Sequence, residues 1–297
     1  MKRKRTILLF PILLLAFFLW SPAQEKQPPQ YQQEPSPVVA SLVKGSIYEV
    51  KGGQGANCGF FVGEKEVLII DAKMTKESAQ EMIAAIRKIT ALPLKFMILT
   101  HSDGDHVNGL IGFARGINII AHHNTRKDME EAFKDPEQKI YLPDQTFARK
   151  LFLYLGSKRI ELHHFGPAHT NGDVVVCFPE EKVAFLGDLY FRDRDPLIHR
   201  HKSGNSFGLV KTLEAVLELD AETFVHGHGD IASRNDIQVF IDTLEKKQTE
   251  IKAMIAKGKT LDQIKKAFDV QDRPPRPGSR RFLSLVEVIY LELTGEK

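Results

Sequence analysis

Short apolar runs separated by glycines dominate the first third of the chain. Ser46–Val50, Cys58–Val62 and Glu66–Asp71 have the length of strands, and Gly52, Gly53, Gly55 and Gly63 stand between them as turn residues. After Asp71 the period changes. Ala79, Met82, Ile83, Ile86 and Ile89 recur at three- and four-residue steps, which predicts an amphipathic helix with Thr75 as its cap. Lys95–Thr100 returns to a strand, Gly109–Ala114 opens a helix, Ile117–Ala121 reads as a strand and Thr125–Phe133 as a helix.

The second half repeats this alternation. Arg159–Phe165, Val174–Phe178 and Lys182–Leu186 are strand-like. Phe207–Leu219 is helical, with Leu209, Leu213, Val216 and Leu217 as its apolar stripe. A short strand at Thr223–Val225 and a long amphipathic helix at Ile237–Ile255 follow, and Thr260-Leu-Asp-Gln263 matches a capping box opening another helix. Two halves that each mix strands and helices predict two sheets packed face to face with helices outside, a four-layer αββα sandwich of class α/β.

The start of the chain has a different character. Lys2, Arg3, Lys4 and Arg5 precede an apolar run from Thr6 to Trp20, and Ser21-Pro22-Ala23 places small residues where a signal peptidase cuts. Residues 1–23 therefore read as a signal peptide, with a periplasmic or secreted location; an uncleaved membrane anchor is the alternative, disfavoured by a run shorter than the roughly 20 apolar residues of a span. Residues 24–40, rich in Gln and Pro, read as a linker, and 41–297 as the folded domain with C-terminal helices. With 42% apolar and 27% charged residues, the body is an ordinary globular chain rather than a disordered one. Two cysteines, Cys58 and Cys177, exclude a disulfide framework and a cysteine zinc cluster. Removing the four basic residues of the signal takes the formal charge from +3 to −1, so nothing electrostatic calls for nucleic acid. After signal cleavage no membrane span is expected, and nothing in the sequence sets an oligomeric state.

The chemistry concentrates in Leu99-Thr-His-Ser-Asp-Gly-Asp-His-Val-Asn-Gly109, where His101, Asp103, Asp105 and His106 follow directly on an apolar strand. Any one of them alone reads as a solvated loop residue. Together, on a tight strand-to-helix turn, they are four side chains able to converge on a metal. Three later segments each set a His or Asp beside a glycine near a strand terminus: Gly166-Pro-Ala-His169, Phe185-Leu-Gly-Asp188 and Val225-His-Gly-His228.

In order and spacing these residues resemble the metallo-β-lactamase superfamily, from about Val43 to Phe268. The family pattern is His-x-His-x-Asp-His, then a His, a Gly-Asp and a His in a glycine-rich turn. The resemblance implies two divalent metal ions, zinc first of all. One would be held by His101, Asp103 and His169, the other by Asp105, His106 and His228, with Asp188 bridging. Asp105 would also orient the attacking hydroxide, and Asp71 would support His101 from behind. Position 103 departs from the pattern, being Asp where the family has His. A hard carboxylate there moves preference towards iron or manganese, and its charge would bring the centre close to neutral.

The remaining histidines receive plainer readings. His122, His123, His163, His164 and His226 lie in or beside strands as packing or surface residues, whereas His199, His201 and Lys202 fall where the family shapes its substrate mouth. Cys177 reads as core. The resemblance thus implies a metallo-hydrolase, and the signal segment an exported one, acting on a small molecule with an amide, ester, lactone or thioester carbonyl, a β-lactam among the candidates. An iron-dependent oxygenase or redox enzyme on the same fold, and a non-catalytic metal- or ligand-binding protein, are the alternatives.

Overall fold

Period-two alternation puts Val67 and Ile69 on one face of their strand and Leu68 and Ile70 on the other, and all four are buried. A strand buried on both faces needs a layer on each side. That requirement organises the computed structural model, which describes residues 36–271 and 281–296, all within one compact unit, Pro35–Lys297. The predicted signal peptide and most of the predicted linker lie outside the described residues.

One sheet runs in the order β1 (Val39–Lys44), β2 (Ile47–Lys51), β3 (Cys58–Val62), β4 (Val67–Ile70), β5 (Leu94–Ile98), β6 (Asn118–His122) and β7 (Gln145–Phe147). Its first four strands pair antiparallel and the rest parallel. The other sheet contains β8 (Lys150–Leu155), β9 (Lys158–His163), β10 (Val175–Phe178), β11 (Val183–Phe185), β12 (Thr223–Val225) and β13 (Ala232–Ser233), in that spatial order. It is antiparallel except for the parallel pair of β11 and β12.

Three apolar layers hold these sheets. Leu68, Ile70 and Ile98 of the first sheet meet Leu162, Val176 and Phe185 of the second between them. On the outer face of the first sheet, α1 (Lys76–Arg87) contributes Ala79, Met82 and Ile86, joined by Met129 of a later helix. The short α2 (Gly104–Val107) follows β5, and α3 (His123–Ala132) and α4 (Pro136–Lys139) lie between β6 and β7. The outer face of the second sheet is covered by α5 (Ser206–Leu217), α6 (Arg234–Ala256), α7 (Leu261–Ala267) and α8 (Leu285–Thr294). The architecture is therefore the αββα sandwich that the sequence predicts.

Local signals act as expected at several ends. The Thr75 side chain accepts from the Ser78 backbone N–H, and Thr260 and Gln263 form a reciprocal capping box. Other expectations need correction. The helix expected from Gly109 is a 3-10 turn, Asn108–Gly112, because Gly109 is pressed against the carbonyls of Ala72 and Lys73. Strands β1, β7 and β8 are additional to the predicted set, and β1 starts inside the segment read as linker. Cys58 and Cys177 are buried and unpaired, on different sheets. Among the described residues no helix is long and apolar enough to cross a membrane.

Candidate metal centre

The chemistry-bearing residues gather where parallel strands end. Asp71 follows β4, His101 and α2 follow β5, Asp188 follows β11, and His226–His228 follow β12. The C-terminal edge of a parallel sheet is a general location for ligand sites, because the strands diverge there and their loops form a crevice. His169 enters from the loop between β9 and β10.

Hydrogen bonds fix which nitrogen each ring turns inward. His106 donates its Nδ1–H to Asp71 Oδ2 at 2.8 Å, leaving an Nε2 lone pair 3.1 Å from Asp188 Oδ1. His169 donates from Nδ1 to the Leu197 carbonyl at 2.6 Å, and its Nε2 lies 3.2 Å from Asp103 Oδ2. His101 Nδ1 lies 3.0 Å from Thr100 Oγ1, whose hydroxyl donates to Asp71 Oδ2 at 2.7 Å. The expected support of His101 by Asp71 therefore runs through Thr100; the ring that Asp71 touches is that of His106. Asp71 itself stands at a φ of 63°, in the left-handed region, directly after β4.

These rings turn Nε2 towards carboxylates, an arrangement that is repulsive unless a proton or a cation lies between them. His101 Nε2 is buried and has no hydrogen-bond partner. The ligating atoms of Asp105, His106, Asp188 and His228 lie within 4.8 Å of one another, as do those of His101, His169 and Asp188. A third such group is Asp103, His169 and His199. Nitrogen and oxygen donors in sets of three and four, with one carboxylate common to two sets, fit divalent ions of the zinc type.

The electrostatics agree. Burial pushes the Asp188 carboxyl up, but the His106 and His228 rings outweigh it and hold the group well below the usual carboxylate range. Burial opposes a proton on His106, yet Asp188 and Asp71 raise it well above an ordinary imidazole. Against the same burial, Asp103 lifts His169 to about 9, and Asp105 with Asp188 lifts His228 to about 9. Burial, with His106 next to it, keeps His101 well below its ordinary value. The carboxylates thus call for positive charge at these three rings; a ligating imidazole is neutral, so a bound cation would take the place of the proton.

Two glycines permit this closeness. A Cβ on Gly227 would stand 2.1 Å from Asp188 Oδ1, and one on Gly187, whose φ is 54°, 2.6 Å from Thr100 Oγ1. Around the mouth, the Phe191 ring stacks on His228 at 5.8 Å and Phe282 meets His199 edge-on at 5.5 Å.

All seven sequence-predicted site residues come together at this edge. The sequence reading placed His199 and Lys202 at the substrate mouth; the structure turns both onto Asp103, with His199 Nε2 2.5 Å from Oδ2 and Lys202 Nζ 2.7 Å from Oδ1. No local motif marks these contacts, which join residues nearly a hundred positions apart. His122, His164 and His226 bond backbone carbonyls of Ala148, Asp173 and Asp230 and pack as structural rings.

Comparison with known proteins gives the family. Residues 52–228 match the family model of the metallo-beta-lactamase superfamily. A metallo-beta-lactamase of Chryseobacterium indologenes is 24% identical over 249 residues, covering 82% of this chain and all of that protein. A hydroxyacylglutathione hydrolase of Haemophilus influenzae is 30% identical over 139 residues, covering 43% of this chain and 63% of that one. Among solved structures, a metallo-beta-lactamase from Pontibacter korlensis superposes with a TM-score of 0.61 at 18% identity, over 70% of this chain and 99% of that chain. The family match spans more than half of the sequence and runs through the loops that carry the converging rings, and on that ground the chain belongs to the metallo-beta-lactamase superfamily.

Proposed function

We propose that this chain is an exported metal-dependent hydrolase that opens an activated carbonyl of a small molecule: an amide, ester, lactone or thioester, with β-lactams in that range. The observation that carries it is the position of Asp188. Its Oδ1 lies 3.1 Å from His106 Nε2 and its Oδ2 3.2 Å from His228 Nε2, and it also joins the group of His101 and His169. A carboxylate common to two donor sets is what a two-metal site requires. One ion would be held by His101, Asp103 and His169, the other by Asp105, His106 and His228, with Asp188 to both.

Two such ions, when bound, lower the pKa of a shared water towards neutrality and stabilise negative charge on the attacked carbonyl oxygen. The chain's own residues supply orientation. The Asp105 carboxylate, partly exposed and held by His228 at 3.1 Å, accepts a hydrogen bond from the attacking water and aims it. The buried Phe191 ring backs His228 and holds it in place. Two of the relatives are named as a metallo-beta-lactamase and a hydroxyacylglutathione hydrolase, which supports this range of carbonyl substrates. The basic start and apolar run before Gln24 support export.

The test is a substrate panel: a phenyl ester, an aliphatic lactone, a glutathione thioester and a cephalosporin, each offered to protein stripped with chelator and to protein reloaded with zinc. Turnover of at least one substrate, lost on stripping and regained on reloading, is expected. Fully loaded protein that turns over none of them contradicts the reading.

A further inference from the structure

Asp103 is the departure of this chain from its family's motif, and the structure surrounds it with partners that the motif does not contain. Its Oδ2 lies 3.2 Å from His169 Nε2 and 3.8 Å from His101 Nε2. Two donors on one tetrahedral ion, each at about 2.0–2.1 Å, are separated by about 3.3–3.4 Å. Oδ2 meets that spacing to His169 and lies within about 0.5 Å of it to His101, which puts it beside both rings as the third donor.

His199 Nε2, only 2.5 Å from the same oxygen, is too close to be a further donor to that ion at this spacing and stands instead as a hydrogen-bond partner of the carboxylate. The rings of His101, His106 and His169 all have Nδ1 held by a protein oxygen, whereas His199 Nδ1 is buried without a partner. Nothing therefore forces a lone pair onto His199 Nε2, which can donate its proton to Asp103.

Lys202 completes the arrangement. Its Nζ donates to Asp103 Oδ1 at 2.7 Å, to Ser102 Oγ at 2.9 Å and to the Ser102 carbonyl at 3.2 Å, using all three hydrogens on the protein itself. The Ser102 hydroxyl in turn donates to Asp128 Oδ2 at 3.0 Å. The turn that carries both residues is tied to the loop of His169: His199 N donates to the His169 carbonyl at 2.9 Å, and Asn171 N to the Lys202 carbonyl at 3.0 Å. His169, His199 and Lys202 thus move as one piece against Asp103.

We propose that Asp103 and Lys202 act as one unit in place of the family's histidine, the Asp103 carboxylate giving the donor oxygen while the Lys202 ammonium, together with His199, holds and neutralises it. A carboxylate in place of a neutral imidazole adds one negative charge, and the ammonium at 2.7 Å returns one positive charge. The near-neutral centre expected from the sequence is thereby offset, and the pair presents the ions with the net charge of a histidine. Lys202 and His199 are positioning residues, acting on the centre through Asp103. This inference rests on the metal-centre reading above.

The test compares wild type, Lys202→Met, Lys202→Arg, Asp103→His and the double variant Asp103→His/Lys202→Met as full chains. Each is stripped and titrated with zinc against a chromophoric chelator, and its cobalt(II) absorption spectrum is recorded. Lys202→Met is expected to weaken zinc binding tenfold to a hundredfold and to change the cobalt spectrum. Asp103→His alone is expected to weaken binding at least tenfold, because it leaves the ammonium against a neutral ring. The double variant should recover to within about threefold of wild type, and Lys202→Arg should stay close to wild type, since a guanidinium also donates to a carboxylate. Rescue by a second substitution is something that a merely structural lysine would not show. If Lys202→Met fails to fold, Asp103→His against the double variant reads the same coupling. Unchanged zinc affinity in Lys202→Met, or no recovery in the double variant, overturns the proposal while leaving the metal centre standing. A wild-type chain that takes up no zinc overturns both.

Discussion

Asp71 and His106 lie 35 residues apart in sequence, yet Asp71 Oδ2 takes the His106 Nδ1–H at 2.8 Å, and the same carboxylate takes the Thr100 backbone N–H and hydroxyl. One side chain at the end of β4 therefore sets His106 directly and His101 through Thr100. Such partners raise the basicity of a ligand ring and fix its tautomer, and losing them costs tenfold to a hundredfold in metal affinity. Asp71→Asn keeps the shape, and Asn tolerates the φ of 63° at this position. The expected outcome is a zinc affinity reduced at least tenfold, by chelator competition, with an unchanged far-ultraviolet circular dichroism spectrum. An affinity equal to that of wild type would mean that the contact does no positioning.

The alternation of elements and the cluster from His101 to His106 are legible in the sequence because each is local. Strands with a clear turn on either side, such as Cys58–Val62, announce themselves by length and glycines. Strand β8 does not. Its outward residues include Phe152 and Tyr154, both exposed, so the polar beat of a one-sided strand is missing from Lys150–Leu155. Strand β7, three residues long, is too short to carry a period. At the centre, the motif names the converging residues but not their supports. Which ring Asp71 holds depends on how the loops after β4 and β5 meet, and the grip of His199 and Lys202 on Asp103 depends on how a distant turn is tied to the His169 loop.

Lys73 is fully buried and ends on three backbone carbonyls, those of Val50 at 3.1 Å, Gly52 at 2.9 Å and Ala56 at 2.8 Å. Burial pulls its ammonium below the ordinary lysine value, which is a cost of its position. Against this stands the loss of three hydrogen bonds from a charged donor, each worth about 1 kcal/mol or more. Those bonds also fix the loop whose Ala56 N–H donates to the Asp105 carbonyl at 3.1 Å. Lys73→Met should therefore lose about 2 kcal/mol in urea unfolding with an unchanged denaturant slope. A variant as stable as wild type would show that desolvation of the ammonium cancels its hydrogen bonds.

A pH effect follows from His122, which is 1% exposed. Its Nε2–H donates to the Ala148 carbonyl and its Nδ1 accepts from Asn124 N, so the ring is held neutral. Burial, with His164 stacked on it and His123 tilted beside it, pulls the ring down to about 4 from its ordinary 6.5. A folded value below the unfolded one gives stability that is present above pH 6.5 and lost as pH falls towards 4, up to about 3 kcal/mol. Unfolding in chelator removes metal loss from the comparison. Wild type should then lose stability over this range more steeply than His122→Gln, and parallel curves would remove His122 as the cause.

If the Asp188 carboxylate serves two ions, it sets how much metal the chain holds, and a metal count reads this. Wild type and Asp188→Ala, reloaded with zinc and freed of excess, are measured by inductively coupled plasma mass spectrometry. Wild type is expected to hold about two zinc ions per chain and Asp188→Ala fewer than one, since a bridging ligand belongs to both sites. An Asp188→Ala protein that is folded and still holds two would contradict the shared site.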